Sequence, residues 1–222
     1  MRRVSKSGQR SSIGTNFFME LHMKQYNLPT YHFMHGAYIK ESICNDLVSF
    51  FDNNPDRHNA GEVYGGCEEH SHKTLKDPFT KQSTDISLYA DNPEDYVLLQ
   101  DYIAELNECV SLYEKRFERA KYMERYGILE SINIQKYEPG EGFHKWHCER
   151  RGKTNMTRCL VFMTYLNDVP EGGTDFLYQD LSTPAEKGLT FIWPPDWTHT
   201  HKGHISDAHR KYIITGWFNY LK

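Results

Sequence analysis

The sequence lacks the features that would direct it to a membrane, a secretory route or a nucleic acid. None of its 222 residues form an apolar run long enough to cross a bilayer. Its start is basic, with Arg2, Arg3, Lys6 and Arg10, but no apolar stretch follows, so a secretory signal is not expected. The cysteines are few and scattered: Cys44, Cys67, Cys109, Cys148 and Cys159, an odd number without a CxxC pair. That spacing speaks against a disulfide framework or a zinc ribbon and for a reducing compartment, so the expectation is a soluble cytoplasmic protein. Neither sign of charge dominates. With 26 basic and 30 acidic residues the net charge is −4, which gives no electrostatic reason to expect nucleic acid or an anionic membrane as partner. No His-Glu-x-x-His segment is present, which argues against a zinc hydrolase of that type. Repeats and low-complexity segments are missing too.

Aromatics, by contrast, are plentiful. Tyr and Phe number 15 and 12, enough to carry much of a core. Residues 1–30 are expected to be a partly flexible N-terminal arm, and 31–222 a single domain. Tyr31–Tyr38 reads as a strand and turn. Ile43, Leu47, Phe50 and Phe51 then form one apolar stripe of a helix over Ile39–Asn53. Residues 54–82, with His58, His70 and His72, read as a long loop, followed by a strand at Ser83–Leu88. A second helix should begin near Asn92-Pro93 and run to about Arg119, since Leu99, Tyr102, Leu106, Val110, Tyr113 and Phe117 recur at helical spacing. From Leu129 the period changes to that of strands. Leu129–Tyr137, Phe143–Glu149, Arg158–Leu166, Thr174–Tyr178, Leu189–Trp193 and Lys211–Leu221 are separated by turns rich in Gly and Pro. The expectation is an α+β protein, mainly β, a sandwich or barrel with its helices on one outer face.

The chemistry concentrates in Phe143–Glu149. On a strand, His147 and Glu149 would share a face and Cys148 the other. An imidazole and a carboxylate aimed at one point, joined by a second histidine, make the 2-His-1-carboxylate set that leaves positions open on non-haem Fe(II). Residue types alone leave His199, His201, His204 and His209 as candidates for that histidine. His70-x-His72 is a possible metal pair, but no third ligand stands at a suitable spacing.

The order of motifs resembles the 2-oxoglutarate/Fe(II)-dependent dioxygenases, specifically their prolyl 4-hydroxylase-like catalytic domain. The matching residues are Tyr137-x-x-Gly140, Phe143, His147-x-Glu149, the strand from Arg158 to Tyr165-Leu166-Asn167-Asp168, and Gly172-Gly173-Thr174-Asp175-Phe176. Pro184–Gly188 before Leu189–Trp193, His201-Lys202-Gly203, Lys211 and Trp217 complete them. The resemblance spans roughly residues 129–220. It implies a double-stranded β-helix (jelly-roll) core over 129–222 carrying the metal site, with 31–128 as helical support and loops.

The same resemblance assigns roles. His147, Glu149 and His201 would be the Fe(II) ligands and catalytic residues, with His201 chosen because Lys211 follows it by ten positions and Gly203 takes the family glycine's place. Lys211 would pair with the distal carboxylate of 2-oxoglutarate, and Tyr137 would hydrogen-bond the same group. The implied reaction is hydroxylation of a C–H bond in a protein (prolyl-type) or small-molecule substrate, with succinate and CO2 as co-products and ascorbate as an accessory reductant. Three departures stand out. Glu149 replaces the usual Asp. One extra residue precedes His147, leaving open whether His144 or Trp146 lines the pocket. Val161 stands where a Thr is common. A cupin-like metal-binding module without oxygenase activity is the alternative. The nucleic-acid-dealkylating branch is disfavoured by the acidic balance. Oligomeric state is left open.

Overall fold

The computed structural model describes residues 23–64 and 74–221. The pair His70 and His72 lies outside them. The chain opens with two strands, β1 (Gln25–Tyr26) and β2 (His35–Tyr38), then helix α1 (Glu41–Asn53). Short strands β3 (Asn59–Ala60), β4 (Val63–Tyr64), β5 (Thr74–Leu75) and β6 (Lys81–Gln82) lead to β7 (Thr84–Leu88) and helix α2 (Pro93–Arg116). Strands then dominate: β8 (Tyr126–Ile128), β9 (Ile132–Tyr137), β10 (Gly142–Phe143), β11 (Arg158–Tyr165) and β12 (Val169–Phe176). β13 (Leu181–Ala185), β14 (Leu189–Trp193), β15 (His201–Gly203) and β16 (Lys211–Tyr220) complete the described chain.

The helices form for the reasons their periodicity suggests. Ile43, Leu47 and Phe51 of α1 are buried on one stripe. On α2, Leu99, Tyr102, Leu106, Cys109 and Tyr113 are buried, and Asn92 caps the N-terminus by accepting from the Glu94 and Asp95 amides. α2 stops at Arg116, before the expected Arg119, and a 3-10 turn over Glu118–Tyr122 follows.

Among the described residues, nine strands make one antiparallel sheet in the order β1-β2-β14-β11-β16-β9-β7-β3, with β8 paired to the end of β16. Strands from before residue 129 thus flank the central strands on both sides, so that part of the chain builds sheet as well as helices. Gln25 and Tyr26 also pair into this sheet, earlier than the boundary expected at residue 31. A smaller sheet, β13-β12-β15, completes the frame of the site.

All eight residues of β11 are buried, as a strand covered on both faces must be. On one face Leu160, Phe162, Ile192, Ile214 and Phe218 pack with the apolar stripes of α1 and α2. On the other, Val161, Met163, Tyr165, Phe191 and Trp193 pack with Val169, Phe176 and Ala185 of the smaller sheet. Within the smaller sheet, β12 and β13 crowd together at Gly173: a Cβ there would sit 1.6 Å from the Thr183 carbonyl oxygen, so only glycine fits.

Candidate active site

Phe143–Glu149 is not the strand that alternation suggested. β10 covers Gly142–Phe143 only, and the chain beyond it is extended but irregular. His147 is fixed instead by an isolated antiparallel bridge to His201, with reciprocal amide-to-carbonyl bonds of 3.0 and 2.8 Å. The Glu149 amide bonds to the Pro195 carbonyl at 3.0 Å. Two backbone attachments thus achieve what strand parity was expected to do.

The side chains converge. The His147 and His201 Nε2 atoms each lie 3.5 Å from Glu149 Oε1, and one donor atom from each of the three residues falls within 4.8 Å of the others. The two Nδ1 atoms bond to the carbonyls of Lys145, at 3.0 Å, and His199, at 2.8 Å. A carbonyl accepts only, so each Nδ1 carries its proton, and each Nε2 is left to share a proton with Glu149 or to offer a metal its lone pair. Burial, then the neighbouring His201, pulls the His147 pKa down and keeps the ring neutral. Burial pushes the Glu149 carboxyl up, but the two imidazoles outweigh it and hold the group well below the usual carboxylate range. Three donors this close need a proton or a cation among them: a proton shared with an imidazole is what depresses the Glu149 carboxyl, and a metal would take its place. This donor set fits Fe(II). Phe143 stacks on the His147 ring at 3.6 Å between centroids, and Phe176 and Trp193 pack against His201 at 5.4 and 5.3 Å.

A cavity of about 570 Å³ connects this cluster to Lys211. Lys211 faces Tyr137 across the β16–β9 register and is 5% exposed. Its ammonium donates to the Gly172 carbonyl at 3.0 Å and the His204 carbonyl at 2.6 Å, and no carboxylate pairs with it among the described residues. Burial lowers its pKa from 10.5 to about 8. The bond to Gly172 follows a register shift in β12 between Val169 and Thr174, where Glu171 adopts a left-handed φ of 57°. The Tyr137 ring lies 5.4 Å from the ammonium, and its hydroxyl donates to Gln135 Oε1 at 2.6 Å. Burial, then the charges of Asp85, Glu149 and Glu141, pushes the Tyr137 pKa well above its usual value, so the hydroxyl keeps its proton.

Residues 132–219, which contain all five of these side chains, match the model of the 2OG-Fe(II) oxygenase superfamily. The match covers less than half of the chain, and the fold of the whole agrees with it. The viral collagen prolyl hydroxylase of Paramecium Bursaria Chlorella virus-1, solved as a 2OG complex, is 13% identical with a TM-score of 0.61, over 85% of this chain and 97% of that one. A Pseudomonas putida prolyl-4-hydroxylase is 12% identical with a TM-score of 0.59, over 86% and 94%. A Trichoplax adhaerens prolyl hydroxylase, in complex with a hypoxia inducible factor oxygen degradation domain peptide fragment, is 12% identical with a TM-score of 0.63, over 85% and 84%. At such identities the likeness is one of fold. No curated protein matches the sequence. The match and the shared fold support a 2-oxoglutarate-dependent dioxygenase, prolyl 4-hydroxylase-like in fold, that uses Fe(II) and 2-oxoglutarate.

The other histidines considered from the sequence fall elsewhere in the oxygenase. His199 is buried and bonds the His32 carbonyl at 2.9 Å. His204 pairs with Asp175 at 2.6 Å beside a separate groove, and only its carbonyl meets Lys211. His209 is exposed on the turn that precedes β16. His58 stacks on Phe51 and bonds its carbonyl at 2.9 Å. Neither His144 nor Trp146 lines the cavity: His144 borders the separate groove, and Trp146 is exposed beneath Lys202. Phe143 lines it instead. Val161 is buried between the sheets. In the basic loop, Arg150 grips Asp196 with two bonds of 2.8 and 2.7 Å, while Arg151 and Asn155 border the cavity. Sequence reading overlooked the surroundings of Glu149 Oε2. Trp217 donates its indole hydrogen to this oxygen at 3.0 Å, and an Arg158 nitrogen lies 3.6 Å away.

Among the described residues no helix is long and apolar enough to cross a membrane.

Proposed function

We propose that His147, Glu149 and His201 hold Fe(II) in this oxygenase, and that Lys211 and Tyr137 receive the distal carboxylate of 2-oxoglutarate. One observation carries the reading: a three-donor cluster and an uncompensated buried cation stand at the two ends of one cavity. Fe(II) with 2-oxoglutarate and dioxygen supplies oxidative decarboxylation to succinate and CO2, coupled to hydroxylation of a C–H bond. The protein supplies position and dryness. Two of the three Lys211 hydrogens are held by carbonyls, which aims the third at an incoming carboxylate. Tyr137, whose hydroxyl here donates to Gln135, would turn that hydrogen to the same group. Phe143, Phe176 and Trp193 enclose the histidines and exclude water.

The larger and smaller sheets, facing one another across the apolar cluster that contains Val161 and Phe176, are read as a double-stranded β-helix. Both helices then pack on its outer side, and residues 31–222 act as one catalytic domain. A peptide substrate, hydroxylated at a prolyl-type C–H bond, is supported by the peptide bound in the Trichoplax neighbour. The test is Fe(II)- and 2-oxoglutarate-dependent succinate formation under air, with mass gain of one oxygen on a panel of prolyl peptides and small molecules. His201→Ala should abolish succinate formation, and His209→Ala should leave it unchanged. Full activity in His201→Ala would refute the ligand assignment. Metal binding by the unaltered chain without any succinate would favour a binding module.

A further inference from the structure

Glu149 reaches the cluster with one oxygen. Both imidazoles address Oε1, while Oε2 takes the Trp217 indole hydrogen at 3.0 Å and faces the Arg158 guanidinium at 3.6 Å. That indole has little freedom to turn. The Arg158 guanidinium lies 3.5 Å from the Trp217 ring centroid, stacked on it. Arg158 is fixed in turn by two bonds to the Glu130 carboxylate and one, at 2.9 Å, to the Glu149 carbonyl. Asn219 donates to Glu130 at 3.0 Å and accepts from Thr157 at 2.9 Å. Asn155 makes a second bond, 2.9 Å, to the Glu149 carbonyl. The carboxylate is thus held at its backbone and at its second oxygen by a continuous set of partners.

Arg158 reaches this place through an irregularity in β11. Val161, Met163 and Tyr165 face the smaller sheet, so strict alternation would turn Arg158 toward the helices. The ladder with β16 shifts register between Arg158 and Leu160, and Cys159 and Leu160 both pack on the helix side. One extra residue therefore redirects the guanidinium into the cavity, as β-bulges beside active sites do. Trp217 needs no such device: on β16 it shares a face with Lys211, Ile213 and Thr215, all of which line the same cavity.

We propose that Trp217, backed by Arg158 and Glu130, is a positioning residue that restricts Glu149 to one-oxygen coordination. The inference rests on the reading of Glu149 as an Fe(II) ligand. A glutamate is long enough to bite a metal with both oxygens. A second Glu149 oxygen on the metal would fill a position that 2-oxoglutarate must enter, because the facial triad works by leaving positions open. Binding Oε2 to a neutral N–H and a nearby cation keeps it off the metal. Glu149 is one methylene longer than the carboxylate usual in such sites, so its free oxygen has the reach that makes such a restraint matter.

Trp217→Phe removes the donor and keeps an aromatic ring for Arg158 to stack on. Binding of Fe(II) alone is measured anaerobically. 2-Oxoglutarate is then titrated into the metal-loaded protein, followed by the charge-transfer band that forms on its chelation. The metal affinity of Trp217→Phe should stay within about threefold, while its affinity for 2-oxoglutarate falls by about tenfold or more, the scale of partners that orient metal ligands. Glu130→Gln, which loosens Arg158 without touching the indole, should show the same split with a smaller loss and serves if Trp217→Phe does not fold. Unchanged 2-oxoglutarate affinity in the variant that folds would overturn the proposal. So would a joint fall of metal affinity and melting temperature, which marks a merely structural role. Metal binding that survives in both His201→Ala and Glu149→Ala would instead refute the ligand assignment itself, and this inference with it.

Discussion

The two ends of the 570 Å³ cavity handle charge in opposite ways. At one end, a carboxylate is surrounded by two imidazoles, an indole N–H and a guanidinium, and is held well below the usual carboxylate range. At the other, an ammonium is buried against two carbonyls and the Tyr137 ring, with no carboxylate paired to it among the described residues, and its pKa falls to about 8. A structural ion pair would have brought the two charges together. Keeping them apart leaves the first end ready for a metal cation and the second ready for an anion. In the reading proposed above, a metal completes the first end, and 2-oxoglutarate, which chelates a metal with one end and carries a carboxylate at the other, joins the two.

Breaking the metal end should have the largest effect. Glu149→Gln removes the negative charge that gathers the imidazoles. Succinate formation should fall by more than about 100-fold, beyond the range of partners merely behind a ligand, as measured at saturating 2-oxoglutarate and Fe(II). The opposite end should respond differently. Lys211→Met should raise the KM for 2-oxoglutarate by about tenfold to a hundredfold, the worth of a charge-assisted hydrogen bond. The same change should stabilise the cofactor-free fold by on the order of 2 kcal/mol, because a buried, unpaired cation is removed. A melting temperature that falls together with activity would contradict the contrast.

The pH dependence sharpens the comparison. Lys211 is depressed in the folded chain, from 10.5 to about 8. Between those values the unfolded chain binds the proton and the folded chain does not, so this residue's contribution to stability rises from pH 8 to 10.5. Over the same interval the ammonium is lost and 2-oxoglutarate affinity should fall. Thermal melts of the cofactor-free protein and titrations of the co-substrate should therefore run in opposite directions, and Lys211→Met should flatten both trends. The smallest effect belongs to a site remote from either end. Asn92→Ala, which removes the cap of α2, should cost about 1 kcal/mol in denaturant unfolding and leave the KM for 2-oxoglutarate unchanged.

Much of the frame was legible because burial writes a period into the sequence. The stripes of α1 and α2 and the unbroken apolar run of β11 are read directly, and the structure moves their ends by only a few residues. The surroundings of His147 were less legible. Alternation suggested a strand through Glu149, but the convergence of His147 with Glu149 depends on a bridge to His201 and a bond to Pro195, partners more than 40 residues away. No local pattern encodes such contacts. His201 could not be separated from its neighbours by residue type, because His199, His204 and His209 differ from it only in what the fold places beside them. Arg158 was hidden more completely. Period-two reading places it on the helix side, and nothing in Arg158-Cys159-Leu160 announces a bulge. Glu130 and Gln135, which bond Arg158 and Tyr137, carried no motif at all.

The extra residue in β11 also has a bearing on how this chain tolerates insertions and deletions. Loss of Cys159 would set Arg158 directly before Leu160, and regular alternation would then keep the guanidinium on the cavity side, paired with Asn219. The site would survive that deletion as well as the sheet. Straightening β11 without losing a residue would instead aim Arg158 at the apolar side, where Tyr113, Leu160 and Phe218 pack, and the oxygen of Glu149 that it faces would lose its cation. In this strand the reading frame of the side chains, rather than their identity, determines whether a core position serves the metal end of the cavity.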